Sequence, residues 1–257
     1  MTVRAVIFDI YNTLLEKGPP PPDAEQKWGV LWESKFEAAP RISLAEFAKE
    51  CGRIITREHD AARAVGVKYP EVYWPQIILE ACPELAALPK HAREDFVLQH
   101  TYLRHTIRMM PGAAAALRAL SSDGLHLGLA SNAQPYTLHE LEHALTDAGL
   151  SLKIFDPALT IFSFQIGFSK PDPHFFRMLT ARLRVMGVHV EETMMIGNSP
   201  ENDVIPARAQ GWQIWHLTAD GIVPNKQMGL WADVGKWFET MRALQTSSFK
   251  SQASEKH

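Results

Sequence analysis

Val6-Ile7-Phe8 runs into Asp9 and then into Ile10-Tyr11-Asn12-Thr13-Leu14-Leu15, so an apolar segment delivers one carboxylate into a turn ahead of a second apolar pair. Short β-rich apolar runs bounded by turn residues read as interior strands of a parallel sheet, and such sheets bind ligands beyond the carboxyl ends of their strands. Asp9 therefore stands where a nucleophile or a metal ligand is expected. An aspartate that closes the loop through an Asx-turn or a helix cap fits the same pattern.

Three later segments repeat the strand-to-loop transition. Leu125-His126-Leu127-Gly128-Leu129-Ala130 ends in Ser131-Asn132, whose hydroxyl and amide are able to donate to phosphoryl or carboxylate oxygens, or to cap the helix expected near Tyr136. In Ser163-Phe164-Gln165-Ile166-Gly167-Phe168-Ser169-Lys170-Pro171-Asp172-Pro173, Gly167 permits a tight loop and the Pro-Asp-Pro group starts a helix behind Lys170. Lys170 is then either an anchored cation or a solvated surface lysine. Thr193-Met194-Met195-Ile196 leads into Gly197-Asn198-Ser199-Pro200-Glu201-Asn202-Asp203, where metal binding and helix capping compete.

In order, spacing and strand context these four segments resemble the motifs of the haloacid dehalogenase superfamily, over residues 3–15 and 110–217. The resemblance implies an α/β fold, a doubly wound parallel-sheet, Rossmann-like core with an inserted helical cap. It also implies a hydrolase working through a covalent aspartyl intermediate. Asp9 would be the nucleophile, with Tyr11, Ser131 and Lys170 as its catalytic neighbours and Thr13 and Asn132 as substrate contacts. Mg²⁺ would be held by Asp9, the Tyr11 carbonyl, Asn198 and Asp203. The chemistry is coherent: a nucleophilic carboxylate splits a difficult displacement into two steps, Lys170 offsets anion repulsion, and Mg²⁺ takes oxygen ligands while keeping several waters.

Two departures divide the reading. Phosphatases of the superfamily carry a second aspartate two residues after the nucleophile, and this chain has Tyr11. A phenol with an ordinary pKa of about 10 is a weak proton donor, and loss of a general acid costs about 10²- to 10⁴-fold. Asn198 stands at the usual first acidic position of motif four, which keeps an oxygen ligand without its charge. Tyr11 resembles the 2-haloacid dehalogenase branch, whose Asp-x-Tyr-Gly-Thr motif needs neither leaving-group proton nor metal. Asn12 replaces that branch's glycine, however, and Arg41 is no clear counterpart of its halide-binding arginine. A Mg²⁺-dependent phosphatase on a small phosphorylated metabolite is therefore the first expectation and a metal-free dehalogenase the alternative. A ligand- or partner-binding homologue with little turnover is the third.

Organisation along the chain agrees with an inserted lid. Gly18 and Pro19-Pro20-Pro21-Pro22 form a stiff connector, and segments 24–38, 43–65, 72–82 and 90–106 read as helical, the second opened by a Ser43–Glu46 capping box. Pro111-Gly112 marks the return to the core, where strands and helices alternate to Trp212-Gln213-Ile214-Trp215. The expected division is a core of 1–17 and 110–245, a cap of 18–109 and a disordered tail of 246–257. Trp28 and Trp32, four residues apart, read as core-facing, and the Arg57-Glu58-His59 and 69–74 stretches as a solvated face and a turn.

Composition narrows the partners. The 257 residues carry 26 Lys plus Arg against 29 Asp plus Glu, a net charge of −3 with no basic stripe, so nucleic acid and anionic membranes are not expected ligands and a small-molecule substrate is. Two cysteines, Cys51 and Cys82, read as isolated buried thiols, and the histidines form no zinc pattern. With no uninterrupted apolar run of about 18 residues, a cytoplasmic location is expected.

Overall fold

The computed structural model describes residues 2–218 and 227–240. Strand β1 (Ala5–Phe8) has four residues, all wholly buried. A strand without a polar face must be covered on both sides, and the alternation of side chains does this: Val6 and Phe8 join one buried cluster, Ala5 and Ile7 another.

After a turn the chain forms β2 (Leu15–Lys17) and then four helices: α1 (Ala24–Phe36), α2 (Leu44–Ala64), α3 (Trp74–Ala81) and α4 (Lys90–Arg104). It returns through β3 (Ile107–Met109), antiparallel to β2. The four helices bury their own cluster around Trp28, Phe47, Ile54, Ile78 and Phe96. Trp28 and Trp32 face this cluster, as their spacing predicts. Ser43 accepts from Glu46 N at 3.2 Å while Glu46 accepts from Ser43 N at 2.9 Å, the predicted capping box.

The core continues with α5 (Ala113–Ser122), β4 (His126–Ser131), α6 (Pro135–Asp147), β5 (Thr160–Phe162), α7 (Ser163–Ile166), α8 (Pro173–Val185) and β6 (Thr193–Gly197). It closes with α9 (Ile205–Ala209), β7 (Gln213–Leu217), β8 (Met228–Gly229) and helical residues 231–240. All six core strands are parallel, in the order β5-β4-β1-β6-β7-β8, with helices on both faces. The order reverses beside β1, the place where doubly wound sheets open a binding crevice. Phe8 pairs with Leu129 on one side and Ile196 on the other, so the loops after β1, β4 and β6 leave the sheet together.

Local pattern left some elements unread. The three-residue strands β3 and β5 are too short to show alternation, and the segment expected to be helical through 106 ends at Arg104 because its connector pairs with β2. Segment 69–74 is more than a turn. Ser169 N donates to Tyr69 O at 2.9 Å, Glu71 N to Gly167 O at 3.1 Å, and Trp74 N to Gln134 Oε1 at 2.8 Å, so this strap docks along the core loop leading to Lys170. Cys51 and Cys82 are free and buried, and burial pushes both thiols up to about 12. No described helix is long and apolar enough to cross a membrane. The tail expected at 246–257 lies outside the described residues.

Candidate active site

Asp9 leaves β1 with its N–H donating to Ile196 O at 3.0 Å, which continues the sheet by one residue. The chain then closes a tight turn in which Leu14 N and Leu15 N donate to Ile10 O at 2.8 and 2.9 Å. Asn12 takes the left-handed conformation there, with φ of 56°. Asparagine is among the few side chains that tolerate this region, so exchange of glycine for Asn12 preserves the turn.

The Asp9 carboxylate is only 8% exposed, and its two oxygens are held differently. Oδ1 accepts from Lys170 Nζ at 2.8 Å and from Ser131 Oγ at 3.1 Å, whereas Oδ2 has one long contact, 3.3 Å, from Thr13 Oγ1. The same Thr13 hydroxyl lies 3.3 Å from Asn198 Oδ1. A single hydroxyl proton serves one acceptor well, so two oxygens share an under-filled position.

Lys170, 3% exposed, bridges two carboxylates: besides Asp9 it reaches Asp203 Oδ1 at 2.6 Å. Burial opposes the ammonium charge, but Asp203 and Asp9 outweigh it and hold the Lys170 pKa above the ordinary lysine value. Burial, together with the neighbouring Asp9, raises the Asp203 carboxyl against the pull of Lys170. Asp203 is set on a single π-helical turn, Pro200–Val204, and its Oδ2 accepts from Ser199 N at 3.0 Å. Gly197 makes room for it, since a Cβ there would overlap the Asp203 carboxyl.

Asp9, Thr13, Ser131, Lys170, Asn198 and Asp203 are thus brought into one constellation. Two expected residues stand differently. The Asn132 amide is taken up by the Lys170 backbone, with Nδ2 donating to Lys170 O at 3.0 Å and Oδ1 accepting from Lys170 N at 2.7 Å, so it braces Lys170. The Tyr11 side chain turns into the interior and donates to Glu140 Oε2 at 2.5 Å, beside Thr137 Oγ1 at 3.0 Å. Burial and then Glu140 push its pKa well above the usual phenol value. A hydroxyl so engaged is no proton donor near neutrality.

Several participants escaped the sequence reading. Glu140 is wholly buried and its other oxygen lies 2.8 Å from His105 Nε2. It does carry a sequence signal: with Thr137, Leu141 and Ala144 it falls on the buried stripe of α6, where a carboxylate needs partners. Glu71, from the strap, accepts from Ser163 Oγ at 2.5 Å and from Gln134 Nε2 at 3.1 Å, and burial raises its carboxyl. Arg41 is exposed and pairs with Glu84 at 2.8 Å, away from this constellation, so it is no halide arginine. Among the described residues no group of three His, Cys, Asp or Glu side chains forms a metal cluster.

Asp9, Asp203 and Lys170 sum to one net negative charge, which repels an anionic substrate. The two oxygens around Thr13 offer hard donors to a cation of the Mg²⁺ type, which needs few protein ligands because it retains waters. Asp203 is already committed to Lys170 and Ser199 and presents no comparable free oxygen. The donor set therefore fits Mg²⁺ through Asp9 Oδ2 and Asn198 Oδ1.

A family model for haloacid dehalogenase-like hydrolases matches residues 3–211. A curated relative, phosphoserine phosphatase of Thermus thermophilus, is 35% identical over 138 residues, a match spanning 53% of this chain and 51% of that protein. The chain thus matches about half the length of this relative. A 2-haloacid dehalogenase from Pseudomonas syringae pv. Tomato superposes with a TM-score of 0.57 at 16% identity, covering 93% of this chain and 100% of that one. A haloacid dehalogenase-superfamily phosphatase from Thermococcus onnurineus gives 0.52 at 19% identity, covering 93% and 98%. At such identities the likeness concerns the fold, which serves both chemistries.

Proposed function

The chain belongs to the haloacid dehalogenase-like hydrolases, and from that premise we propose that it hydrolyses phosphate monoesters of small metabolites with the help of Mg²⁺. One observation carries this reading: Asp9 has Oδ1 fixed by Lys170 and Ser131 while Oδ2 keeps only a long contact to Thr13. In the proposed reaction a carboxylate oxygen of Asp9 attacks phosphorus, the bond from phosphorus to the leaving oxygen breaks, and water then hydrolyses the phospho-aspartyl ester. Lys170 and Ser131 orient the nucleophile, and Lys170 offsets the charge of the phosphoryl oxygens. Asp9 Oδ2, Asn198 Oδ1 and the Tyr11 carbonyl would hold Mg²⁺, which supplies charge neutralisation at the phosphoryl group. The relative named for phosphoserine hydrolysis supports phosphate-ester chemistry over carbon–halogen cleavage. The helical insertion serves as a cap over the crevice, with its strap beside Lys170 supplying substrate contacts.

With the Tyr11 hydroxyl engaged by Glu140, the favoured substrates are those whose leaving groups need little protonation. The second reading, 2-haloacid dehalogenation, draws on Tyr11 and on the left-handed Asn12 that keeps the motif-one turn. A panel of phosphate esters and 2-haloacids, assayed with Mg²⁺ and with chelator, separates the two. The expected result is phosphate release that chelator abolishes and that Asp9→Asn reduces at least about 10³-fold in a folded protein. Chelator-insensitive halide release without phosphatase activity would overturn the proposal.

A further inference from the structure

The two donors that fix Asp9 Oδ1 come from different loops, Ser131 at the end of β4 and Lys170 beyond α7. One residue of the insertion, Glu71, is bound to both. Its N–H donates to Gly167 O at 3.1 Å, beside Ser169 N on Tyr69 O at 2.9 Å and an antiparallel bridge between Pro70 and Phe168, so the strap pairs with the residues that run into Lys170. Its carboxylate serves the other loop. Oε2 accepts from Ser163 Oγ at 2.5 Å, and that hydroxyl in turn accepts from Ala133 N at 2.9 Å, two residues past Ser131. Oε1 accepts from Gln134 Nε2 at 3.1 Å, and Gln134 also meets Val72 O and Trp74 N, each at 2.8 Å.

The direction of these bonds depends on the carboxylate. A hydroxyl has one proton, and Ser163 Oγ lies 2.5 Å from Glu71 but 3.2 Å from Ala133 O, so the proton goes to Glu71 and a lone pair is left for Ala133 N–H. Without Glu71 the Ser163 proton has only Ala133 O to turn to, and the Gln134 amide loses an acceptor. Ser163 is wholly buried and Gln134 is buried, so water replaces these bonds poorly. Bonds to an ionised carboxylate are also the stronger kind. Glu71 therefore holds the Ser131 loop with its side chain and the Lys170 loop with its backbone.

We infer that Glu71 is a positioning residue of the active site: by tying Ser163, Gln134 and Gly167 together it sets the placement of Ser131 relative to Lys170, the two groups that converge on Asp9. The insertion thereby helps to assemble the nucleophile's surroundings. This inference rests on the phosphatase reading for its rate measurement and adds to it a residue that acts through others. Glu71 is not a catalytic residue, and its effect belongs to kcat, since a misplacement of about 1 Å costs about 10²-fold in rate.

The test compares the full chain with Glu71→Ala and Glu71→Gln by p-nitrophenyl phosphate kinetics with Mg²⁺, amide hydrogen exchange and a thermal melt. Glu71→Ala is expected to lower kcat about 10- to 100-fold with KM close to its wild-type value, and to speed exchange at the amides of Ala133 and Ser169. Glu71→Gln keeps an acceptor oxygen and should recover part of the loss. A folded Glu71→Ala with normal kcat, or with KM raised and kcat kept, would overturn the positioning role, the latter because it marks an insertion that only retains substrate. If Glu71→Ala fails to fold, Glu71→Gln and Ser163→Ala take its place. Their combined loss should then be no greater than the larger single loss, and losses that simply add would overturn the link through Ser163. If the wild-type chain shows no phosphatase turnover while exchange quickens at both loops, the phosphatase reading falls and the tie between the loops stands. If turnover is present while kcat and exchange in the folded variants match wild type, the converse follows.

Discussion

Asn132 grips both backbone polar groups of Lys170, donating to its carbonyl at 3.0 Å and accepting from its N–H at 2.7 Å. The residue after Ser131 thereby fixes the base of the one buried cation shared by Asp9 and Asp203. Removing the amide should loosen Lys170 without touching its charge. Asn132→Ala is expected to lower kcat by about 10- to 100-fold, the scale of a misplacement of about 1 Å in a catalytic group. Steady-state kinetics beside a thermal melt check this, and a folded mutant with normal kcat would remove Asn132 from the positioning role.

Tyr11→Phe deletes the hydroxyl that serves Glu140 and Thr137. A buried carboxylate left short of a donor costs about 1–3 kcal/mol, so a lower urea midpoint is expected. Because that hydroxyl is no proton donor, the ratio of aryl to alkyl phosphate turnover should stay at its wild-type value. A ratio that moves strongly in Tyr11→Phe would give the phenol a chemical role.

Asn198 offers a neutral oxygen beside Asp9 Oδ2, with Thr13 between them. Asn198→Asp adds a carboxylate at that position, which raises repulsion in the metal-free protein and strengthens Mg²⁺ binding. The expected outcome is a lower Tm without metal, a larger Tm gain on adding Mg²⁺ and a lower half-saturating Mg²⁺ concentration. No difference from wild type in the metal-induced Tm shift would place the ion elsewhere.

His100 is fully buried among Trp28, Phe47 and Trp74, with neither ring nitrogen partnered. Burial, aided by Arg104, pushes its pKa down to about 3 from an ordinary 6.5. Between these values the unfolded chain binds a proton that the folded chain refuses, so stability is lost as pH falls from 6.5 towards 3, by about 1.4 kcal/mol per pH unit from this group at most. His100→Leu should remove that share of the acid sensitivity. Urea unfolding of both proteins at neutral pH and near pH 4.5 measures it, and parallel pH dependences would contradict the assignment.

The cluster around Asp9 was legible through the resemblance of four segments to family motifs, each placed at a strand-to-loop transition. Asp9, Ser131, Lys170 and Asp203 follow apolar runs or Gly and Pro punctuation, and the parallel sheet leaves little freedom about which end they reach. The helices of the insertion were legible for a similar reason, with α2 announced by Ser43 and Glu46. The docked strap at 69–74 was not, because its hydrogen bonds reach Gln134 and the loop at 167–169 and obey no local period.

Periodicity and turn chemistry determined, from the chain alone, an α/β core with a helical insertion, and the resemblance of four polar loops to family motifs supplied the pairing of a carboxylate with a lysine. These are properties of neighbours in sequence, where sterics and burial act over a few residues. Tertiary structure alone decided the partners: that Tyr11 turns inward to Glu140, 129 positions away, that Asn132 braces the Lys170 backbone, and that Glu71 of the insertion reaches Ser163 and Gln134. Hydrogen bonds and charges choose partners by distance in space, and only the closed fold sets those distances.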